Sequence, residues 1–293
     1  MPKPAPLEAS KDAITRYFEA RRPRAYKLAD LRDAIHEQKE ALQLPPGTRT
    51  TEVMAMLEQE GLLREAQLHS DEYRDITRYL WKGCTPIEIA STVRDAAYMS
   101  HGTAVFLHGL TQQMPRTFYV NYEQTPKPSP TGSLTQEAVD RAFKGKQRSS
   151  RYTWQFESNR FTVLSGKHTG HYGVEETKGP SGEPLRVAGL ERTLVDIAVR
   201  PTYAGGLYEV LEAYKSARER EVSVSRVLAT LRALDYRYPY HQSIGFLMER
   251  AGFEAEHLKR LRDLGFHCKF YLGYDMKKPD FDESWQLYIP QGF

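Results

Sequence analysis

The stretch Thr48–Gly61, which reads Thr-Arg-Thr-Thr-Glu-Val-Met-Ala-Met-Leu-Glu-Gln-Glu-Gly, decides how the N-terminal part of the chain is interpreted. It follows a Pro45-Pro46-Gly47 turn, and the Thr48 side chain is expected to cap the first free backbone N–H groups of a helix. Gly61 stands where helices commonly end on a left-handed residue. Apolar residues recur at helical spacing between the two ends, at Val53, Met56 and Leu57. We therefore predict a short amphipathic helix.

The opposite face of this predicted helix carries mostly short side chains. They belong to Thr48, Thr51 and Ala55, with Arg49 and Thr50 beside them at the N-terminal end. A helix with small side chains and one arginine at its leading end fits a DNA major groove without steric conflict. Taken alone, the stretch favours the simpler interpretation of a surface helix with one buried stripe. Its neighbours decide between the two.

Two helices and two strands are predicted around this stretch. The first helix carries Ala13, Ile14, Tyr17 and Phe18 on its apolar face, and the second carries Leu28, Leu31 and Ile35. Leu62–Leu68 and Ile76–Trp81 read as strands joined by a polar tip. Three helices followed by a two-stranded wing is the order of a winged helix-turn-helix. We therefore predict a DNA-binding domain over residues 1–83, with double-stranded DNA as its partner.

Charge distribution, rather than net charge, supports this interpretation. The whole chain has a formal net charge of only +3, and residues 1–84 contain 14 basic and 14 acidic side chains. A basic cluster near the first inter-helix loop is predicted to contact phosphates; it consists of Arg16, Arg21, Arg22, Arg24 and Lys27. The open alternative is a winged helix that docks another protein.

Composition excludes several other classes of protein. The 293 residues suffice for two domains, each with its own core. The two cysteines, Cys84 and Cys268, are too few for a disulfide framework or a cysteine-based zinc site. The N-terminus has no apolar run typical of a signal peptide, and no window approaches the length of a membrane span. We expect a cytoplasmic protein of mixed α/β (α+β) class.

The pattern changes at Cys84, and we predict a second domain over residues 84–293. Its α/β part, residues 84–188, should contain helices at Pro86–Met99 and Thr103–Leu110, a strand at Thr117–Asn121, a loop at Lys127–Ser133, a hairpin at Tyr152–Phe156 and Phe161–Ser165, and a strand at Leu185–Ala188. Its mainly helical part, residues 189–293, should contain helices at Leu190–Val199, Leu207–Ala217, Val224–Leu234, His241–Arg250 and Ala255–Leu264, with strand-like sequence at His267–Leu272 and Gln286–Ile289.

Residues 141–167 form the most basic part of the chain, with seven basic side chains and one acid, Glu157. A second basic surface is predicted there from Lys144, Lys146, Arg148 and Arg151. Such a surface can follow phosphates or face an acidic partner. An ordinary solvated charge run is an equally good interpretation.

No recognisable catalytic motif is present. His101 and His108, like His168 and His171, lack a third ligand at zinc spacing. The chain has no Walker A, Gly-x-Ser-x-Gly or His-Glu-x-x-His sequence. The nearest approach to the acid, acid-x-Lys pattern of a metal-dependent nuclease is Asp263, Asp275 and Lys277, with Asp263 on a predicted helix. We predict no enzyme, no cofactor and no metal, with a metal-dependent nuclease as the competing class.

Three further stretches carry a resemblance. They are Ser100–Leu110 with Pro115 shortly after, Val187–Asp196, and Gly205-Gly206 followed by Ser243–Gly252. Behind an N-terminal winged helix, this combination resembles the AbiEi family of abortive-infection antitoxins, over roughly residues 10–265. A related group of proteins shares the first two stretches but ends in a small endonuclease domain. The helical C-terminal part here, without the acidic cluster, speaks against that group.

The resemblance implies a bacterial protein of a type IV toxin–antitoxin system that takes part in phage defence. It implies a repressor that binds inverted repeats upstream of its own operon, with two copies bound. It also implies that the protein neutralises a co-encoded AbiEii-type nucleotidyltransferase toxin, by direct or indirect action. We interpret four residues as markers of the fold rather than as catalytic groups: His101, His108, Arg192 and Asp196. A plain transcription factor with a sensory second domain is the other alternative.

Overall fold

The computed structural model describes residues 7–128 and 132–293, and it shows a mixed α/β protein. The helices are α1 Lys11–Ala20, α2 Leu28–Glu37, α3 Thr50–Gln59, α4 Pro86–Val93, α5 His101–Leu107, α6 Gln136–Phe143, α7 Leu190–Val199, α8 Leu207–Glu219, α9 Val224–Leu234, α10 Tyr240–Arg250 and α11 Ala255–Arg262. The strands are β1 Ala25–Tyr26, β2 Leu63–Leu68, β3 Ile76–Trp81, β4 Tyr98–Met99, β5 Thr117–Glu123, β6 Thr153–Phe156, β7 Asn159–Gly166, β8 Val174–Lys178, β9 Pro184–Ala188, β10 Phe270–Tyr271, β11 Asp280–Asp282 and β12 Leu287–Ile289.

The N-terminal unit consists of α1, α2 and α3 packed on a three-stranded sheet in the order β1-β3-β2. Its core contains Phe18, which stacks on Trp81 with ring centroids 5.4 Å apart. Leu31, Val53 and Leu57 are buried in the same core. Burial of each large apolar side chain contributes roughly 1.5–3 kcal/mol to folding. The predicted helices and the β2–β3 hairpin are confirmed as elements, whereas the DNA-binding interpretation of the unit stays a prediction.

The start of α3 differs from the prediction. Thr48 does not cap the helix, because its hydroxyl donates to the carbonyl oxygen of Pro45 at 2.7 Å. Arg49 is the N-cap residue, and its backbone N–H donates to the carboxylate of Glu52 at 3.1 Å. The Thr48 side chain therefore stabilises the preceding turn, and the helix begins at Thr50. Gly61 ends the helical segment in a left-handed conformation, at φ +65°, as predicted.

A six-stranded sheet follows, in the order β6-β7-β5-β4-β9-β8. β5 runs parallel to β7 and antiparallel to β4, while β6 and β7 form the predicted hairpin. The prediction of one helix over Pro86–Met99 is wrong. α4 ends at Val93, and Tyr98–Met99 is a central strand that pairs with β5 on one side and β9 on the other. Pairing with distant strands on both sides outweighs the local helical pattern.

The sequence pattern missed α6 and β8. α6 buries only Val139 and Phe143, and β8 is an edge strand with four exposed residues out of five, so both signals are weak. The predicted loop Lys127–Ser133 lies partly outside the described residues. The predicted bounds of α7 and α9 are confirmed at both ends.

The C-terminal part packs α7–α11 around one large apolar core. The segment after Leu264 adds the small sheet β10-β12-β11, whose Phe270 and Leu287 are fully buried. Gly245 of α10 has no side chain, and a Cβ there would lie 2.1 Å from the Trp285 ring. Glycine at this position thus lets the tail pack directly on α10. In the described part of the chain, no helix combines the length and apolar character needed to cross a membrane.

The N-terminal unit is docked on the second part of the chain by specific polar contacts. The Arg24 backbone N–H donates to the buried carboxylate of Glu88 at 2.9 Å. The tip of the β2–β3 hairpin contacts β6, because His69 and Gln155 exchange backbone hydrogen bonds of 2.9 and 2.8 Å. The Trp154 indole N–H also donates to the carbonyl oxygen of Arg74 at 3.0 Å. The β2–β3 hairpin is therefore part of an internal interface.

Candidate functional site

A buried polar network centres on Arg192, the second residue after the start of α7. One guanidinium nitrogen, Nη2, donates to the Tyr98 hydroxyl at 2.6 Å and lies 3.6 Å from a carboxylate oxygen of Glu123. Its Nη1 donates to the Thr169 hydroxyl at 3.1 Å and to the Tyr172 carbonyl oxygen. The Nε atom faces Oδ2 of Asp196 at 3.5 Å, one helical turn away. Arg192 therefore pairs with Asp196 along α7, while its contacts with Tyr98 and Glu123 join α7 to the sheet.

The two carboxylates of this network have opposite pKa shifts. Burial acts to raise the pKa of Glu123, but hydrogen bonds from the hydroxyl and N–H of Thr169 and from the N–H of His171 outweigh it and lower the pKa. Burial raises the pKa of Asp196 to about 6, although the charge of Arg192 opposes the rise. A raised pKa on a buried acid beside a cavity is a common mark of a functional position.

The two predicted marker histidines flank α5. His101 is its first residue, at φ +49°, and is buried beside Tyr203 with the two rings edge to face at 5.4 Å. Burial lowers the pKa of His101 to about 3, and the charges of Arg200 and Arg192 add to the effect. A Cβ on the following Gly102 would lie 2.9 Å from the Tyr203 carbonyl oxygen, so glycine is needed there.

His108 lies at the other end of α5 and joins this helix to β9. Its Nε2 lies 2.7 Å from the carbonyl oxygen of Ala188, the last residue of the strand. Since a carbonyl oxygen only accepts, the imidazole donates in this hydrogen bond. His108 thus joins two elements, and the role of both histidines as fold markers stays a prediction. In the described chain, neither belongs to a group of three side chains that could hold a metal ion.

Above the network lies a large cleft with a volume of about 1130 Å³. We call it the tyrosine cleft, because eight tyrosines line it in the described part of the chain: Tyr73, Tyr98, Tyr152, Tyr203, Tyr236, Tyr238, Tyr240 and Tyr274. Seven basic side chains line it too, against two acids, Asp196 and Asp235: Lys127, Arg148, Arg151, Lys167, Arg192, Arg200 and Arg237. Tyr73 of the N-terminal unit stacks on Tyr152 at 4.3 Å, so both parts of the chain build its wall.

The predicted recognition surface on α3 is largely accessible. The Arg49 side chain is 80% exposed, Thr51 and Ala55 are exposed, and Thr48 and Thr50 are half-buried. Two acidic side chains, Glu52 and Glu58, are exposed on this face as well. Glu52 pairs with Arg49 at 3.3 Å.

The predicted phosphate-contacting cluster has two kinds of members. Arg16 and Arg21 are exposed, the first bonded to the Asp12 carbonyl oxygen and the second stacked over Tyr17. The other three have partners across the internal interface or close to it. Arg22 donates to the carbonyl oxygen of Ser181 at 3.2 Å, Arg24 to that of Lys82 at 2.9 Å, and Lys27 forms an ion pair with Asp95.

The four residues of the predicted second basic surface also lie in different surroundings. Lys144 pairs with Asp140 at 3.2 Å, and Lys146 is exposed near Asp275. Arg148 and Arg151 line the tyrosine cleft, and Arg151 pairs with Glu72 at 3.2 Å. The four residues therefore do not act as one uniform surface.

The residues of the nuclease alternative form no metal site in the described chain. Asp263 is the C-cap residue of α11, while Asp275 pairs with Lys277 at 2.8 Å. No group of three His, Cys, Asp or Glu side chains is arranged to hold a metal ion within residues 7–128 and 132–293.

Comparisons with known proteins identify one domain of the chain. Residues 95–238 match the family model described as the AbiEi antitoxin C-terminal domain, a segment that contains β4–β9 and α5–α9 with the whole Arg192 network. This part of the chain is therefore an AbiEi antitoxin C-terminal domain. The stretch Ser243–Gly252, which also carried the resemblance, lies beyond the matched segment.

One solved structure has a fold similar to nearly the whole chain. The RV2827C protein from Mycobacterium tuberculosis is similar with a TM-score of 0.57 at 14% identity, covering 96% of this chain and 91% of that one. At this identity the likeness concerns the fold alone. No curated protein matches the sequence.

Sequence reasoning missed the tyrosine cleft. Its lining residues come from the hairpin tip near Tyr73, the segment Arg148–Tyr152, the loop Lys167–His168 and the segment Asp235–Tyr240, which are far apart in the chain. The one available signal was the count of 18 tyrosines, which indicates amphipathic surface but no location.

Proposed function

We propose that this protein is an antitoxin and an autoregulatory DNA-binding repressor of a bacterial toxin–antitoxin operon. The match of residues 95–238 to the AbiEi antitoxin C-terminal domain carries the proposal, because that domain defines a family of antitoxins. The toxin would be an AbiEii-type nucleotidyltransferase encoded beside it, and both would act in the cytoplasm. The role of the system would be abortive infection as a defence against phage.

The repressor part of the proposal is supported by the N-terminal unit. Its order of three helices followed by the β2–β3 hairpin is that of winged helix-turn-helix proteins. We propose that α3 enters the major groove of inverted repeats upstream of the operon, with Arg49, Thr50, Thr51 and Ala55 facing the bases. Phosphate contacts would come from Arg16 and Arg21, which are exposed.

Arg22, Arg24 and Lys27 are weaker candidates for phosphate contacts. Each would have to give up an internal hydrogen bond or ion pair to reach DNA. The wing tip is similarly engaged with β6, so its backbone is not free for a DNA contact in this arrangement. The proposal therefore relies on α3 more than on the basic loop.

Co-expression with the neighbouring toxin tests the antitoxin part. Cells that express the toxin from an inducible plasmid should resume growth when the full-length chain is supplied from a second plasmid with an unrelated promoter. Arg49→Ala is the matched variant, and it should rescue growth as well as the wild type because transcription is no longer under operator control. Continued growth arrest with the soluble wild-type chain would contradict the antitoxin assignment.

Two observations would favour the competing classes. Cleavage of plasmid DNA by the purified protein with magnesium or manganese, abolished by Asp275→Ala, would favour the nuclease. The absence of a toxin gene beside its own would favour a transcription factor with a sensory second domain.

A further inference from the structure

We propose that the tyrosine cleft is a binding site for a nucleoside polyphosphate. Unpartnered arginines would hold the phosphates, and the tyrosine walls would take the base. The proposal is independent of toxin neutralisation and of operator binding, since it rests on the lining of the cleft alone.

The charge of the cleft calls for an anion. Seven basic and two acidic side chains line it in the described part of the chain. Several of the basic groups already have a partner, as Arg151 has with Glu72 and Lys167 with Asp235. Concentrating like charges in a concave surface raises the local potential and attracts an oppositely charged ligand.

Three guanidinium groups at the cleft are free to bind. The side chains of Arg148, Arg200 and Arg237 form no hydrogen bond or ion pair with any residue in ranges 7–128 and 132–293. Arg200 is half-buried, and its charge is close enough to act on the pKa of His101 and Tyr236. Arginine presents several N–H donors in one plane, which suits the oxygens of a phosphate chain.

The segment that carries Arg148 is held in place rather than loose. The backbone N–H of Ser150 donates to the Tyr203 hydroxyl at 2.9 Å, and the Ser150 hydroxyl donates to the Val163 carbonyl oxygen at 2.6 Å. These bonds fix the backbone next to Arg148 to β7 and to Tyr203. The Arg148 side chain itself is exposed, so only this side chain has to be ordered on binding.

The aromatic walls call for a planar group in the same ligand. Tyr73 and Tyr152 stack on each other at the rim, and Tyr203 and Tyr236 lie deeper beside Arg200. Stacking on an aromatic side chain holds any nucleobase, because every base has a π-face. The volume of about 1130 Å³ exceeds what inorganic phosphate needs and accommodates a nucleoside polyphosphate.

Duplex DNA is a poor occupant of the same cleft. A duplex is convex, whereas the basic groups line a concave cleft whose lining includes the buried Arg192 and Asp196. A single strand has the same phosphate and base chemistry and is the one competing occupant, so the test includes it.

Titration of the full-length protein distinguishes these ligands. ATP, GTP, CTP and UTP are each titrated by calorimetry, with tripolyphosphate and a ten-nucleotide single-stranded RNA as comparison probes. At least one nucleoside triphosphate should bind with a dissociation constant below about 1 mM and about tenfold or more tightly than tripolyphosphate. Ligand binding should also change the fluorescence of Trp154, which lies 6.0 Å from the Tyr73 ring.

Charge variants locate the site. Arg200→Gln and Arg148→Gln should each weaken binding about tenfold or more, since each removes one charge-assisted contact. Arg32→Gln is the matched control, because it removes an exposed arginine on α2 that does not line the cleft. It should leave the affinity unchanged. Arg148 is exposed, so its variant stays informative even if Arg200→Gln impairs folding.

Three results would overturn the proposal. They are the absence of binding by all four triphosphates at millimolar concentration, tripolyphosphate binding as tightly as any of them, and binding that is insensitive to both variants. If the single-stranded RNA binds more tightly and the same variants lose that binding, the cleft is a site for a single strand and not for a nucleotide.

Discussion

The basic segment Arg21–Lys27 and the tyrosine cleft both contain basic side chains, but these differ in whether they have partners within the protein. In the segment, Arg22 and Arg24 donate to backbone carbonyl oxygens, and Lys27 pairs with Asp95. In the cleft, Arg148 and Arg200 form no hydrogen bond or ion pair with the described residues. A basic cluster in the sequence is therefore a weaker indication of nucleic-acid binding where its members have partners elsewhere in the fold. Such partners mark a structural arginine, whereas an exposed pair along one helix, such as Arg49–Glu52, is weak and does not prevent binding.

The largest expected effect is that of removing Arg192, whose charge is paired with two buried carboxylates. Arg192→Ala should lower the free energy of unfolding by roughly 3–5 kcal/mol, because it leaves Glu123 and Asp196 as buried carboxylates without their counter-charge. Urea denaturation followed by circular dichroism measures the change. The matched control is Arg237→Ala, an exposed cleft arginine without a partner in the described chain, which should cost less than about 0.5 kcal/mol. An equal loss of unfolding free energy in the two variants would contradict the distinction between paired and unpaired arginines.

A second prediction concerns the dependence of stability on pH. The pKa of Asp196 rises from 3.8 in the unfolded chain to about 6 in the folded protein. The folded state therefore binds the proton more tightly, and the stabilisation is present below the lower value and lost as the pH rises through the higher one. Asp196→Asn lacks this titration. The difference in unfolding free energy between wild type and variant should thus fall by on the order of 1–3 kcal/mol from about pH 4 to about pH 7.

Urea denaturation of both proteins at several pH values measures this difference. A difference that stays constant over the range would mean that Asp196 is ionised throughout and that Arg192 fully compensates its burial.

The smallest expected effect concerns Lys27. Its ion pair with Asp95 is partly exposed, so Lys27→Met should cost less than about 1 kcal/mol of folding stability. Affinity for the upstream DNA should stay within about twofold of the wild type, because the charge is already paired. A clear loss of affinity, with a salt dependence reduced by about one released counterion, would show that Lys27 leaves Asp95 to bind phosphate.

The sequence predicted much of the fold where the signals are local. α7 and α9 have an apolar stripe and clear ends within their own ten or eleven residues, and their bounds were predicted correctly. The hairpin of β6 and β7 was predicted for the same reason, as alternation flanks a short turn. The Arg192–Asp196 pair was predictable from its spacing of four residues on one helix.

The rest depends on contacts between distant residues. β4 has only two residues and is a strand because β5 and β9 pair with it on either side. Thr48 was wrongly predicted as the cap, because its hydroxyl instead donates to the Pro45 carbonyl oxygen. That hydrogen bond depends on the folded turn and has no signal in the sequence. The docking of the β2–β3 hairpin on β6 joins residues about eighty positions apart, so neither the interface nor the cleft beside it has a local signature.

We propose that α3, with its exposed Arg49, gives the protein its DNA specificity. The direct measurement is a titration of fluorescently labelled upstream DNA and of a scrambled duplex with wild type and Arg49→Ala, at several salt concentrations. Arg232→Ala serves as the control that removes an exposed arginine from α9. Arg49→Ala should weaken binding to the upstream DNA by roughly 1–3 kcal/mol and leave the scrambled duplex almost unaffected. Equal wild-type affinity for both duplexes, or equal losses on both in the Arg49 variant, would contradict the claim.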